Sequence, residues 1–218
     1  MILVISAPSG TGKTTLINKL LQVESRLIFS VSTTTRKKRE YEVEGINYHF
    51  ISKDDFLKMI DNDEFFEWAE VYGNYYGTTK KEIDRILRER KIPLFDVDIK
   101  GSISLREKVK EGIFAFIIPP SYDDLKERLT ERKTEDDEQL DLRLKNAYHE
   151  LNEYSKFEYI IINDKIDEAF KYLTAIVSVN FNSKDEANKL SDEFFIMADR
   201  CKLENMKGKV DKILEGFK

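Results

Sequence analysis

Eight residues near the start of the chain, Ala7-Pro8-Ser9-Gly10-Thr11-Gly12-Lys13-Thr14, have the types and spacing of a phosphate-binding loop. The pattern is met at every position but the first, where Ala stands in place of the usual Gly. Small residues let several backbone N–H groups converge on one anion, and a helix starting at the loop's end aims its positive terminus at the same point. Gly10 and Gly12 supply that freedom, Lys13 can reach β- and γ-phosphates, and the Thr14 hydroxyl can join a Mg²⁺ shell. A nucleoside triphosphate is the implied ligand. Farther along, Leu94-Phe95-Asp96-Val97-Asp98 ends an apolar run in carboxylates suited to a Mg²⁺ water shell or an acceptor group. Between the two, Phe29 to Arg39 packs hydroxyls beside Arg36, Lys37, Lys38 and Arg39. Guanidinium forks donate in pairs to phosphate oxygens, so this cluster suits a phosphate monoester; alone, it also fits a solvated charged surface.

These residues need elements to hold them. Ile2-Leu3-Val4-Ile5 before the loop and the helix-favouring run from Thr14 to Leu21 after it read as strand, loop, helix. Apolar runs at Ile92 to Val97, Ile113 to Ile118 and Tyr159 to Ile162 read as strands buried on both faces, each followed by a helical pattern. That alternation implies an α/β fold with a parallel sheet. Between Phe29 and Gly77 the texture shifts to short alternating segments, with a helix over Lys53 to Ile60, which reads as a small mixed lobe inserted in the sheet. Ser121 to Tyr154 is charged and helix-favouring, with a break near Lys133-Thr134 where Thr134 could cap a second helix. In the tail from Ser183 to Lys218, one apolar stripe runs Ala187, Leu190, Phe194, Met197, Cys201, and after a five-residue step a second runs Met206, Val210, Ile213, Phe217, with Gly208 weakening the helix nearby. One or two tail helices follow, packed on the body or on a second subunit.

Composition narrows the classes. The chain has 218 residues, 41% of them hydrophobic with 14 Phe and 10 Tyr, which a disordered chain would lack. A net charge of −5, from 36 basic and 41 acidic residues, argues against a nucleic-acid binder that works through bulk charge. The one cysteine, Cys201, forms no internal disulfide, and no apolar stretch is long enough to span a bilayer, so a cytoplasmic protein without a membrane anchor is expected.

Taken in order, several blocks closely resemble the guanylate kinase family over about Ile2 to Thr174: Ser6 to Thr15, Phe29 to Arg39 with Glu42-Val43-Glu44-Gly45 and Tyr48, Glu67-Trp68-Ala69-Glu70 with Gly73 to Thr78, Asp96-Val97-Asp98, Pro119-Pro120-Ser121 and Ile162-Asn163-Asp164. The resemblance implies a P-loop nucleoside monophosphate kinase fold, with a parallel five-stranded core sheet flanked by helices at residues 1–32 and 80–180. It also implies a mixed α/β GMP-binding lobe at 33–79 and a helical lid at about 122–155, leaving 181–218 as a helical tail. By the same resemblance GMP falls on Ser32, Arg36, Arg39, Tyr48, Glu67, Tyr76, Thr78 and Asp98. ATP falls on Ala7, Pro8, Ser9, Gly10, Thr11, Gly12, Lys13, Thr14, Thr15, Arg128 and Asn163, with Mg²⁺ on Thr14 and Asp96.

An ionised Glu67 can accept from both N1–H and the exocyclic amine of guanine, an edge adenine lacks. The resemblance puts Arg128, Arg132 and Arg143 at the basic positions of the lid, and since phosphoryl transfer rests on positioning and cationic charge, it implies Lys13, Arg39, Arg132 and Arg143 as the catalytic set. The expected activity is transfer of the γ-phosphoryl of ATP to GMP, giving ADP and GDP, in a monomer or in a homo-oligomer joined through the tail. Lys38, Tyr41, Lys100 and Lys133 depart from the family's usual residues, which bears on loop stiffness rather than on ligands. Two other readings share the fold: a scaffold module that binds peptides without catalysis, which would lack parts of the cradle present here, and a kinase of another small acceptor.

Overall fold

A computed structural model describes residues 1–131, 137–182 and 184–217. In chain order the elements are β1 (Ile2–Ser6), α1 (Lys13–Val23), β2 (Leu27–Phe29), β3 (Thr33–Thr34), β4 (His49–Phe50), α2 (Lys53–Asp61), β5 (Phe65–Val71), β6 (Asn74–Thr79), α3 (Lys80–Arg88) and β7 (Ile92–Asp96). There follow α4 (Ile99–Lys108), β8 (Gly112–Ile118), α5 (Tyr122–Thr130), α6 (Asp137–Leu151), β9 (Tyr159–Ile162), α7 (Ile166–Phe181), α8 (Lys184–Ala187), α9 (Asp192–Arg200) and α10 (Leu203–Glu215). The expected α/β alternation is present. Five strands form a sheet in the order β2-β7-β1-β8-β9, and a second sheet has the order β4-β3-β6-β5.

The large sheet is parallel where its register is defined, with Leu27 opposite Ile92 and Ala115 opposite Tyr159. Its strands are mostly apolar because helices cover parallel sheets on both faces; Leu3, Val4, Ile5, Leu94, Phe116 and Ile117 are all fully buried. The chain divides into two compact units, Met1–Val4 with Ser25–Gly112 and Ile5–Glu24 with Ile113–Lys218.

In the first unit the small sheet is mixed, β3 running parallel to β4 and antiparallel to β6, and β5 antiparallel to β6. A bulge between Phe65 and Glu67 brings Glu67 opposite Thr78, and bulges re-aim side chains in this way. The pairing is tight next to it. A Cβ on Gly77 would sit 2.8 Å from the Glu67 carbonyl oxygen, the Phe65 ring and the Trp68 Cβ. Phe56 of α2 is fully buried and stacks on Phe65 at 4.3 Å, pinning the helix to the back of the sheet.

In the second unit α5 and α6 pack together around Leu125, Leu129, Leu144 and Ala147. The joint expected at Lys133 and Thr134 lies outside the described residues. Among the described residues the tail holds three helices, not one or two: the four-residue α8, then α9 and α10. The phase slip read in the sequence falls at Cys201 and Lys202, between α9 and α10. Here Leu203 N–H donates to the Glu158 carbonyl at 2.9 Å and Ile160 N–H to the Cys201 carbonyl at 2.7 Å. Tail backbone thus pairs with the start of β9, while Gly208, expected to weaken this region, lies inside α10 with open space around it.

Candidate active site

The side chains singled out in the sequence fall into two groups among the described residues, one in each unit. In the first unit the core is a buried polar floor formed by Ser32, just before β3, with Glu67 of β5 and Thr78 of β6. Ser32, Glu67 and Thr78 are buried, Glu67 to 2% exposure. Ser32 Oγ and Thr78 Oγ1 share a hydrogen bond at 3.2 Å, and Thr78 N–H donates to Glu67 Oε1 at 3.0 Å. Burial pushes the Glu67 carboxyl up to about 7; the Thr78 hydroxyl and N–H pull it down, and the nearby Asp98 charge adds to the rise. A carboxylate at this depth is held ready for an ionic or doubly hydrogen-bonded partner, since an unpaired buried charge is unfavourable by several kcal/mol, on the order of 3.

Asp98 has a local duty as well. Its side chain accepts from Gly101 N–H at 2.9 Å and caps α4. A Cβ on Gly101 would lie 3.1 Å from Val97 Cβ, so this turn is closely fitted.

Beside that floor lies the cationic segment. Arg36 makes a two-pronged bond to Glu42, Nη1 to Oε2 at 3.1 Å and Nη2 to Oε1 at 2.6 Å. Its guanidinium also lies 5.5 Å from the Tyr48 ring centre and 5.8 Å from that of Phe50. Tyr48 and Tyr76 meet edge to face at 5.9 Å. Burial, followed by the charge of Asp96, pushes the Tyr48 phenol well above its ordinary range, so it stays a hydrogen-bond donor at any working pH. Arg39 is exposed, its side chain donating to the Tyr41 hydroxyl at 3.0 Å and its backbone N–H to Glu42 Oε2 at 2.8 Å.

Sequence reasoning gave Glu42 no duty, and it is the hub of this cluster. Burial by itself would raise its carboxyl; the Arg36 fork and the Arg39 N–H reverse that and hold it below the usual carboxylate range. An acid three and six residues after two arginines was the available signal. Lys108 was also missed: it donates to the Phe66 carbonyl at 3.0 Å, and its charge acts on Glu67.

In the second unit the loop after β1 adopts the geometry that its glycines permit. Gly10 has φ of 90° and Gly12 of 87°, a region that side chains rarely enter. Thr11 Oγ1 donates to the Pro8 carbonyl at 2.9 Å, and Asn163 Nδ2 donates to the Thr11 carbonyl at 2.7 Å, bracing the loop from the end of β9. Whereas α2, α3, α4 and α5 are capped by Ser52, Thr79, Asp98 and Ser121, the cap position of α1 is Gly12, which has no side chain to offer the helix's first N–H groups. An anion can take that place.

Lys13 is half-buried on the first turn of α1, with Thr14 and Thr15 exposed next to it, while Ala7 and Pro8 are buried. Arg143 of α6 donates to Ser9 Oγ. Arg128 of α5 donates to the carbonyls of Asn163 and Asp164 at 2.9 and 3.2 Å. Arg132 lies outside the described residues.

Of the two oxygens expected for a magnesium ion, the Thr14 hydroxyl is exposed in the second unit and the Asp96 carboxylate, at the end of β7 in the first, is half-buried. Both are hard donors and fit Mg²⁺, which takes one or two protein oxygens and completes its shell with nucleotide phosphates and water. Among the described residues no group of three or more His, Cys, Asp or Glu is gathered as a metal cage, and no helix is long and apolar enough to cross a membrane.

The family model for guanylate kinase matches residues 1–180. The chain belongs to the guanylate kinase family. It is 45% identical over 177 residues to a guanylate kinase of Clostridium perfringens strain SM101, covering 81% of this chain and 82% of that one. It is 45% identical over 188 residues to a guanylate kinase of Campylobacter jejuni, covering 85% and 92%. Among solved structures it is similar to guanylate kinase from Anaplasma phagocytophilum, with a TM-score of 0.69 at 30% identity, covering 91% of this chain and 95% of that one. The loop, the Glu67 floor and the Arg36 cluster of this guanylate kinase family member all fall within the matched residues.

Proposed function

We propose that this chain transfers the γ-phosphoryl group of ATP to GMP, giving ADP and GDP, as a cytoplasmic enzyme of purine nucleotide recycling. The observation that carries the reading is the buried Glu67 carboxylate beside the paired hydroxyls of Ser32 and Thr78. Guanine offers two donors on one edge, N1–H and the exocyclic amine, and one acceptor, O6. Glu67 accepts the first two as an ionised group and a hydroxyl of Ser32 or Thr78 donates to the third. Adenine at the same place would leave the carboxylate unpaired, the kind of mismatch that a hydrogen-bonding site rejects by a factor on the order of 10⁴.

The acceptor lobe is assigned to residues 33–79, the core to 1–32 and 80–180 with the lid at 122–155, and the tail to 181–218. Arg36, Arg39, Tyr48 and Tyr76 receive the GMP phosphate, and Glu42 holds the Arg36 fork in place for it. Asp98 shapes the guanine side through the α4 turn it caps and through its charge on Glu67. The loop from Ala7 to Thr15 wraps the phosphates of ATP, with Arg128 and Asn163 fixing the loop's shape from the side of the donor base.

In the reaction an oxygen of the GMP phosphate attacks the γ-phosphorus, the bond from that phosphorus to the β–γ bridging oxygen breaks, and ADP leaves with the electron pair. A phosphate monoester is already ionised near neutral pH, so no general base is needed. Lys13, Arg39, Arg132 and Arg143 spread positive charge over the moving group. Thr14 and Asp96 would hold Mg²⁺, which when bound neutralises the charge of the β- and γ-oxygens.

A coupled ADP-release assay with GMP, dGMP, AMP, UMP and ribose phosphates tests the reading. Turnover with GMP far above that with AMP, UMP or the sugars is expected. Absence of turnover with GMP, or a preference for another acceptor, would overturn it.

A further inference from the structure

The family model stops at residue 180, yet the last described residue of the tail reaches the two helices that carry Arg128 and Arg143. Phe217, Tyr122 and Leu140 pack as partly buried groups on the cluster of Leu125, Leu129, Leu144 and Ala147. Phe217 meets the Tyr122 ring edge-on at 5.2 Å and stacks on Tyr148 at 6.2 Å with 17° between planes. It therefore touches both α5 and α6.

The helix that delivers Phe217 is itself held along its length. Cys201 to Leu203 pair with backbone at the start of β9, and Met206, Val210 and Leu214 are buried. Asp211 accepts from the Tyr154 hydroxyl at 2.6 Å, in the turn of 3₁₀ helix (Tyr154–Lys156) that follows α6. On its other side the same cluster fits closely against the phosphate loop. A Cβ on Gly10 would lie 2.8 Å from Leu129 Cδ2 and 3.0 Å from Leu125 Cδ1. A shift of α5 is thus felt at Gly10, and one of α6 at the bond from Arg143 to Ser9.

We propose that Phe217 is a positioning residue for the donor site, and that the tail from Cys201 to Phe217 serves as a strut. It sets α5 and α6 against the phosphate loop so that Arg128 and Arg143 keep the places described above. The loop's identity as the ATP site is the only part that rests on the proposed function. The strut contacts named above lie within the second unit, so the proposal leaves the acceptor residues of the first unit unaffected.

The test uses the full chain with Phe217→Ala and the ring-keeping Phe217→Tyr. Removing one aromatic ring from such a cluster shifts an equilibrium by up to about tenfold. Phe217→Ala should raise the KM for ATP by about that factor, leave the KM for GMP where it was, and speed amide exchange along α5 and α6 but not in α1. Phe217→Tyr should restore both readings. A fall in active fraction with both KM values unchanged, equal rises in the two KM values, or unaltered exchange in α5 and α6 would overturn the proposal. If Phe217→Ala does not accumulate as folded protein, Phe217→Leu carries the same expectations. An inactive wild type would sink the proposed function and leave the exchange comparison to judge the strut.

Discussion

Glu67 ties stability, affinity and pH together. Its folded value near 7 lies above the ordinary carboxylate value of 4.5, so the folded state holds a proton that the unfolded chain releases. The stabilising contribution is complete below about pH 4.5 and is lost as pH rises through about 7, amounting to roughly 3 kcal/mol. Glu67→Gln removes that titration. Thermal unfolding followed from pH 5 to 8 should therefore show the variant gaining on the wild type as pH rises. GMP prefers the ionised form, so wild-type affinity should weaken by up to about tenfold for each unit below pH 7. Calorimetry in two buffers should show proton release on binding, and neither effect should survive in Glu67→Gln. Glu42 gives a second expectation. Glu42→Ala leaves Arg36 half-buried without its carboxylate, with a stability loss on the order of 3 kcal/mol. The KM for GMP should rise while that for ATP stays, as steady-state kinetics would show.

Among the elements, the bulged hairpin of β5 and β6 decides whether Glu67 faces Thr78. Gly77→Ala puts a methyl group 2.8 Å from backbone and side-chain atoms of β5. Overpacking of this kind is unfavourable by about 1–3 kcal/mol, and the melting temperature and GMP affinity should fall together. Gly208→Ala is the contrasting case. It lies in the middle of α10 with nothing within 4 Å, so the substitution should stabilise by about 0.5–1 kcal/mol in denaturant unfolding. The strands β1, β7, β8 and β9 were legible because strands buried on both faces form continuous apolar runs. The bulge was not. Phe65-Phe66-Glu67-Trp68 shows no period that says which residue doubles up, because the doubling depends on the close approach of Gly77 from another strand. Glu42 was hidden for a similar reason: a glutamate in a charged stretch looks solvated until the chain folds Arg36 and Arg39 back around it.

Across the whole molecule, the residues proposed for the two substrates belong to separate compact units. Lys13 and the phosphate loop lie in the unit of Ile5–Glu24 and Ile113–Lys218; the Glu67 floor and Arg36 cluster lie in the other. Lys13→Ala should abolish transfer yet leave GMP binding within about twofold by calorimetry, since sites without shared partners behave independently. The net charge of −5 is compatible with two anionic substrates under the proposed assignment, in which Lys13, Arg36, Arg39 and Arg143 meet phosphates locally.

The tail is where sequence was least informative. Two short apolar stripes fit a partner subunit as well as the chain's own body. The choice lies in distant contacts such as Tyr154 with Asp211 and Tyr148 with Phe217.

The central claim is that Glu67 makes GMP the acceptor, and the ratio of kcat/KM for GMP over AMP in wild type and in Glu67→Ala measures it most directly. The wild-type ratio should be on the order of 10⁴, and the substitution should reduce it by at least about a hundredfold, mostly through loss with GMP. A ratio that Glu67→Ala leaves unchanged would contradict the account.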